Sequence, residues 1–147
     1  MKLLVINGPN LNLLGLREPG IYGKGTLSDL EDFLRKVGEE EGVELSFFQS
    51  NHEGTIVDAI QAAYGVMDGI VINPAAYTHT SVAILDALKA VALPAVEVHL
   101  SDINEREAFR HISYPAMACI AQIKGKGFAG YEEAILLLKE YVQGHRA

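Results

Sequence analysis

The chain has 147 residues, of which 49% are hydrophobic and 21% charged. That is enough apolar material for a core and too much for a disordered linker. Lysine and arginine number 12 against 19 for aspartate and glutamate, a formal net charge of -7, which argues against non-specific nucleic-acid or anionic-membrane binding. Cys119 is the only cysteine, so neither an intrachain disulfide nor a multi-cysteine metal site can form.

The opening apolar run ends at Asn7-Gly8-Pro9. It is shorter than a signal-peptide core, no small-residue cleavage site follows, and no later stretch reaches the ~20 apolar residues of a membrane helix. A cytoplasmic protein with no membrane association is therefore expected. Leu3 to Ile6 reads as a buried strand. Thr26 or Ser28 caps a helix with Leu27, Leu30, Phe33, Leu34 and Val37 at helical spacing, closed by Gly42. Val43, Leu45 and Phe47 alternate with polar residues as a second strand.

Asn51 or Thr55 opens a helix carrying Ile56, Ile60 and Ala63, and Gly69 to Ile72 is a third strand stopped by Asn73-Pro74. Thr80 or Ser81 begins the next helix, with Ile84, Leu85, Leu88 and Val91 on one face. Pro94 to Val98 is a fourth strand. A short polar helix over Glu105 to Arg110 precedes a fifth strand, Ala118 to Ile123. The last helix places Tyr131, Ala134, Ile135, Leu138, Tyr141 and Val142 on one side.

Alternating strands and helices imply an α/β fold with helices on both faces of a parallel sheet. The length suits one domain over residues 1–147, a flavodoxin-like three-layer sandwich with five strands in the order 2-1-3-4-5. A TIM barrel needs roughly 250 residues. Ligands of such sheets bind beyond the carboxyl ends of the strands, near the reversal in strand order.

Three of those ends are rich in polar groups: Asn7 to Asn12, Asn73 to Ser81, and Glu97 to Asp102. Each also has a plain structural reading. Asn, Gly and Pro are ordinary turn residues, Thr78, Thr80 and Ser81 are potential helix caps, and His79 by itself is an unremarkable surface residue. Glu97 and His99 lie two apart and so share one side of a strand, an arrangement suited to acid–base chemistry. Their conjunction at one end of the sheet favours an enzyme.

Leu14 to Gly25 holds four glycines and a proline, a loop long enough for a lid at about 15–25 beside the crevice. It contains Arg17 and Tyr22. No glycine-rich phosphate cradle stands at the first strand-to-helix turn, and the five histidines lack H-x-x-x-H spacing, so no metal is expected. The alternative from another class is a flavodoxin-like nucleotide or flavin-binding protein. A receiver-type regulatory domain would need acidic residues at the end of the first strand, where Asn7 to Asn10 supplies none.

Several long motifs resemble the type II 3-dehydroquinate dehydratases: Ile6 to Gly15 through Arg17-Glu18-Pro19 to Tyr22-Gly23, Asn73 to Ser81, and Glu97 to Ser101 with Arg106-Glu107 and Phe109-Arg110. The resemblance covers essentially the whole chain. It implies a flavodoxin-like fold, assembly as a dodecamer of four trimers, and dehydration of 3-dehydroquinate to 3-dehydroshikimate in the shikimate pathway without cofactor, metal or Schiff-base lysine.

It also implies residue roles. Tyr22 is the base, acting as a phenolate. A free tyrosine ionises near pH 10, so a cation must favour that form, and Arg17 is the local candidate. His99 is the general acid, with Glu97 fixing its tautomer. Asn10 holds a water against the enolate oxygen. Asn73 and His79 bind ring hydroxyls, the backbone amides of Leu100 and Ser101 take a carboxylate, and Arg110 binds the opposite side. Asp86 points away from the core of its own helix and, by resemblance, completes a neighbouring subunit's site. The chain departs from the family pattern at Ile112-Ser113-Tyr114-Pro115-Ala116 and at Gln122, Lys124 and Lys126. That leaves packing and subunit contacts there open, while the departures are expected to miss the chemistry.

Overall fold

The computed structural model describes residues 1–16 and 25–145. Its centre is a parallel five-stranded sheet in the order 2-1-3-4-5, as the sequence pattern implies. The strands are β1 (Lys2–Asn7), β2 (Glu44–Gln49), β3 (Gly69–Asn73), β4 (Ala95–His99) and β5 (Ala121–Lys124). Every residue of β3 and β4 is buried; β3 accordingly reads as a continuous apolar run, while β4 buries the polar Glu97 and His99 among its apolar residues.

Among the described residues four α-helices cover the sheet. Helices α1 (Leu27–Glu41) and α4 (Phe128–Gly144) pack on one face around Leu3, Val5, Val71, Val96 and Val98. Helices α2 (Glu53–Ala63) and α3 (Val82–Val91) cover the other, around Leu4, Ile6, Ile70, Ile72 and Ala95. The odd–even split along each strand follows from the two-residue period of the pleat. Among the described residues no helix is long and apolar enough to cross a membrane.

The helix ends mostly follow their local chemistry. Thr26, not Ser28, caps α1, exchanging hydrogen bonds with Asp29 in a capping box. The helix closes on Gly42 in the left-handed region. Ser81 caps α3 by accepting from the Ile84 N–H at 2.9 Å.

Three elements differ from the sequence reading. His52, rather than Asn51 or Thr55, stands before α2 and makes no side-chain cap. Asn51 is engaged elsewhere: its Oδ1 accepts from the Asn10 N–H at 2.9 Å and from Gln49 Nε2 at 3.2 Å. The polar helix at 105–110 is instead two short 3-10 turns, Ile103–Glu105 and Ala108–Arg110, separated by an extended Arg106. Finally, β5 is shorter than Ala118 to Ile123. A 3-10 turn over Pro115–Ala118 comes first, and Ala118 and Cys119 pack against the α2/α3 cluster instead of extending the strand.

Candidate active site

The carboxyl ends of β1, β3 and β4 meet where the strand order reverses. The β1 turn passes close under the β3 turn, with the Gly8 N–H donating to the Asn73 carbonyl at 2.8 Å. A Cβ on Gly8 would lie 2.5 Å from the Pro74 carbonyl oxygen, so only glycine lets the two turns approach. Asn10 follows at φ 70°, a left-handed conformation that asparagine tolerates better than most residues. Ala75 also has positive φ, at 52°, and lacks a polar side chain to ease it. Asn10 and Ala75 both line a cleft with Asn73, His79, His99, Leu100, Ser101, Arg106 and Arg110.

Behind the cleft stands a buried ionisable pair. Glu97 is fully buried and His99 nearly so, and His99 Nε2 donates to Glu97 Oε2 at 2.8 Å. Burial opposes the charge on Glu97. The hydrogen bond and attraction from His99, with hydrogen bonds from Gln122 and Ser113, outweigh it and hold the carboxyl below the ordinary carboxylate range. Ser113 Oγ donates at 2.7 Å to Oε1, and Gln122 Nε2 at 2.7 Å to Oε2. A carboxylate only accepts, so Nε2 of His99 carries a hydrogen and Nδ1 is left to serve the cleft.

His79 lines the same cleft. Its Nδ1 lies 2.8 Å from the Ile112 carbonyl, which can only accept, so the neutral ring carries its hydrogen on Nδ1 and a lone pair on Nε2. Burial lowers its pKa, and the charges of His99 and Arg110 act the same way; the Ile112 bond and Glu97 oppose them. Arg110 is held by Glu107, whose Oε2 accepts from Nε at 2.8 Å, and it lies over the Phe109 ring. Amide, imidazole and guanidinium side chains thus share one cleft, a donor-rich lining suited to a small polar anion.

A family model described as dehydroquinase class II matches residues 1–139. The chain belongs to the class II dehydroquinase family. It is 55% identical over 139 residues to a 3-dehydroquinate dehydratase of Clostridium acetobutylicum, covering 95% of this chain and 96% of that one. Identity to a 3-dehydroquinate dehydratase of Bacillus cereus is 52% over 143 residues, with 97% and 98% covered. The crystal structure of a type II dehydroquinase from Butyrivibrio crossotus superposes with a TM-score of 0.93 at 52% identity, covering 95% of this chain and 97% of that one.

Of the site residues expected from the sequence of this dehydroquinase-family chain, Asn10, Asn73, His79, His99, Leu100, Ser101 and Arg110 line one cleft, and Glu97 backs His99. Asp86 does not line it. It is exposed on the outer side of α3, away from the buried Ile84, Leu85 and Leu88. Arg17 and Tyr22, and most of the loop expected at 15–25, lie outside the described residues.

Sequence reasoning missed several participants. Gln122 appears in it only as a departure from the family pattern, yet it touches Glu97 directly. Ser113 is a second donor to the same carboxylate. Arg106, quoted only within a motif, lines the cleft. Asn7 and Tyr131 look in sequence like a strand end and a core aromatic, but their side chains bond each other at 2.7 Å and Tyr131 also bonds Asn73. Ser113 and Gln122 both belong to the departures expected to miss the chemistry, and that expectation fails because both bond Glu97; Gln122 has the clearer sequence signal, a long polar side chain on a strand otherwise expected to be apolar.

Proposed function

We propose that the chain dehydrates 3-dehydroquinate to 3-dehydroshikimate, as a single catalytic unit without metal, cofactor or Schiff base. The observation that carries this reading is the buried Glu97–His99 pair opening onto a cleft floored by Asn10 and Asn73. The match to dehydroquinase relatives along nearly the full chain supports it.

The reaction removes a proton alpha to a ketone and expels a hydroxyl group from the neighbouring carbon. It needs a base, support for the enolate and an acid for a poor leaving group. Tyr22, as a phenolate favoured by Arg17, takes the proton, and the electron pair moves onto the ketone oxygen. A water held by Asn10 supports that enolate. When the electron pair returns, the carbon–oxygen bond breaks and His99 protonates the departing hydroxyl, giving water. Glu97 keeps the imidazole in the required tautomer and stabilises its charged form.

Asn73 and His79 bind ring hydroxyls, the Leu100 and Ser101 amides take the carboxylate, and Arg110 closes the other side. In this reading the chain acts in the cytoplasm as a dodecamer of four trimers, with Asp86 reaching a neighbouring site.

The test is to mix purified protein with 3-dehydroquinate and follow the ultraviolet absorbance of the conjugated enone. Absorbance should rise, equally in EDTA and after treatment with borohydride plus substrate. Inactivation by borohydride would mean a covalent imine and a different mechanism.

A further inference from the structure

Tyr131 is a fully buried residue in the first turns of α4, packed among the apolar side chains of the α1/α4 face. Its ring fills space that phenylalanine would fill as well. The hydroxyl must therefore be explained separately, because burying it costs free energy unless it is bonded on arrival. It is bonded twice. The hydroxyl donates to Asn7 Oδ1 at 2.7 Å and accepts from Asn73 Nδ2 at 2.9 Å.

Asn7 and Asn73 end β1 and β3 and face each other in register, at the point where the strand order reverses. Only Asn73 lines the cleft. Its other end is also taken, since Oδ1 accepts from the Ala75 N–H at 3.1 Å. The carboxamide thus has one permitted sense. Turned over, Nδ2 would face the Ala75 N–H, donor against donor. Oδ1 would face a tyrosine oxygen whose hydrogen is committed to Asn7. One Nδ2 hydrogen remains for a ligand, and it suits a hydroxyl or carboxylate oxygen.

We propose that Tyr131 is a positioning residue: its hydroxyl, anchored by Asn7, fixes the sense in which Asn73 presents its amide to the substrate. This rests on the dehydratase reading, in which Asn73 binds a ring hydroxyl. Burial raises the tyrosine pKa well above its ordinary value, against the smaller effect of the Asn73 bond, so the hydroxyl keeps its hydrogen at working pH. A relay of this kind is worth its buried polar atoms because a misoriented amide costs binding without disturbing the acid–base pair.

The experiment compares wild type, Tyr131→Phe, Asn73→Ala and the double variant in steady-state turnover of 3-dehydroquinate. Tyr131→Phe should raise KM about tenfold, the loss of one well-placed hydrogen bond, with kcat within about twofold of wild type. In the Asn73→Ala background the same change should alter KM by less than about twofold. A merely structural hydroxyl would lower the melting temperature and leave KM alone, and a folded Tyr131→Phe enzyme with wild-type KM overturns the proposal.

Should Tyr131→Phe not fold, Asn7→Ala frees the hydroxyl to donate to a turned Asn73 and should raise KM in the same direction; an unchanged KM there also overturns it. A wild type without turnover defeats the dehydratase reading instead. Nitrogen-15 NMR then decides the relay without substrate: Asn73 should show one exchange-protected side-chain hydrogen, lost in Tyr131→Phe or Asn7→Ala. Two freely exchanging hydrogens in wild type would contradict it.

Discussion

Gln122 donates to the same oxygen of Glu97 that His99 uses, at 2.7 Å, from the register position directly beside it on β5. A buried carboxylate has few ways to stay ionised, and a second donor on that oxygen is one of them. The neighbouring Cys119 does not compete. Burial, with Glu97's charge adding, pushes its thiol up to about 12, so it stays neutral.

Replacing Gln122 by Leu keeps approximate volume and removes a charge-assisted hydrogen bond worth about 1.5–3 kcal/mol. The carboxylate becomes harder to ionise, so the acidic limb of kcat/KM should move up by about one pH unit. A pH profile measured on both proteins checks this. An unmoved limb means that Ser113 and His99 suffice to hold the charge.

The depressed Glu97 value also sets a stability window. Its folded pKa lies below its ordinary 4.5, so the folded state holds fewer protons than the unfolded one in that range. The stabilisation is complete above about pH 4.5 and is lost as pH falls through the lower folded value. His79, depressed from 6.5, contributes in the same sense, complete above 6.5 and declining below it. Thermal melts between pH 7 and pH 3 should show both declines, with Glu97→Gln flattening the lower and His79→Gln the upper. A melting temperature that rises on acidification through these ranges contradicts both signs.

The proposed base is tested by a substitution that removes only the phenol hydroxyl. Tyr22→Phe should lower kcat by several orders of magnitude and leave substrate binding largely intact, since only the proton acceptor is removed. Arg17→Ala should also cost heavily in kcat, because phenolate formation loses its cation. Near wild-type turnover by Tyr22→Phe would remove Tyr22 from the role.

Much of this architecture was legible in the sequence. β1 and β3 are apolar runs stopped by Asn-Gly and Asn-Pro, β4 carries Glu97 and His99 on one side of the strand, and the carboxyl ends of all three carry the cleft. The rest was hidden for identifiable reasons. Ala118 to Ile123 looks like one strand, but Pro115 starts a turn that spends Ala118 and Cys119 on the opposite core. The bonds from Ser113 and Gln122 to Glu97 cross 16 and 25 residues, and no local pattern encodes such contacts. Tyr131 fits a helical apolar stripe as phenylalanine would, and its hydroxyl's partners Asn73 and Asn7 lie 58 and 124 residues away.

Asp86 has an exposed position on α3 that explains nothing within one chain. If it completes a neighbour's site, activity should fall as subunits separate on dilution or in mild denaturant. Asp86→Ala chains mixed with Tyr22→Phe chains after dissociation and reassembly should then regain some turnover, because some sites pair intact Tyr22 with intact Asp86. Full activity in Asp86→Ala alone, or no gain on mixing, makes Asp86 a surface residue.

The most direct test of the whole account is the initial rate of enone formation from 3-dehydroquinate, measured side by side for wild type and His99→Ala. Wild type should turn over readily and the variant should lose at least about a hundredfold in kcat, the usual scale of a positioned general acid. Circular dichroism should remain unchanged. No absorbance rise from wild type, or equal rates from the two proteins, would contradict the account.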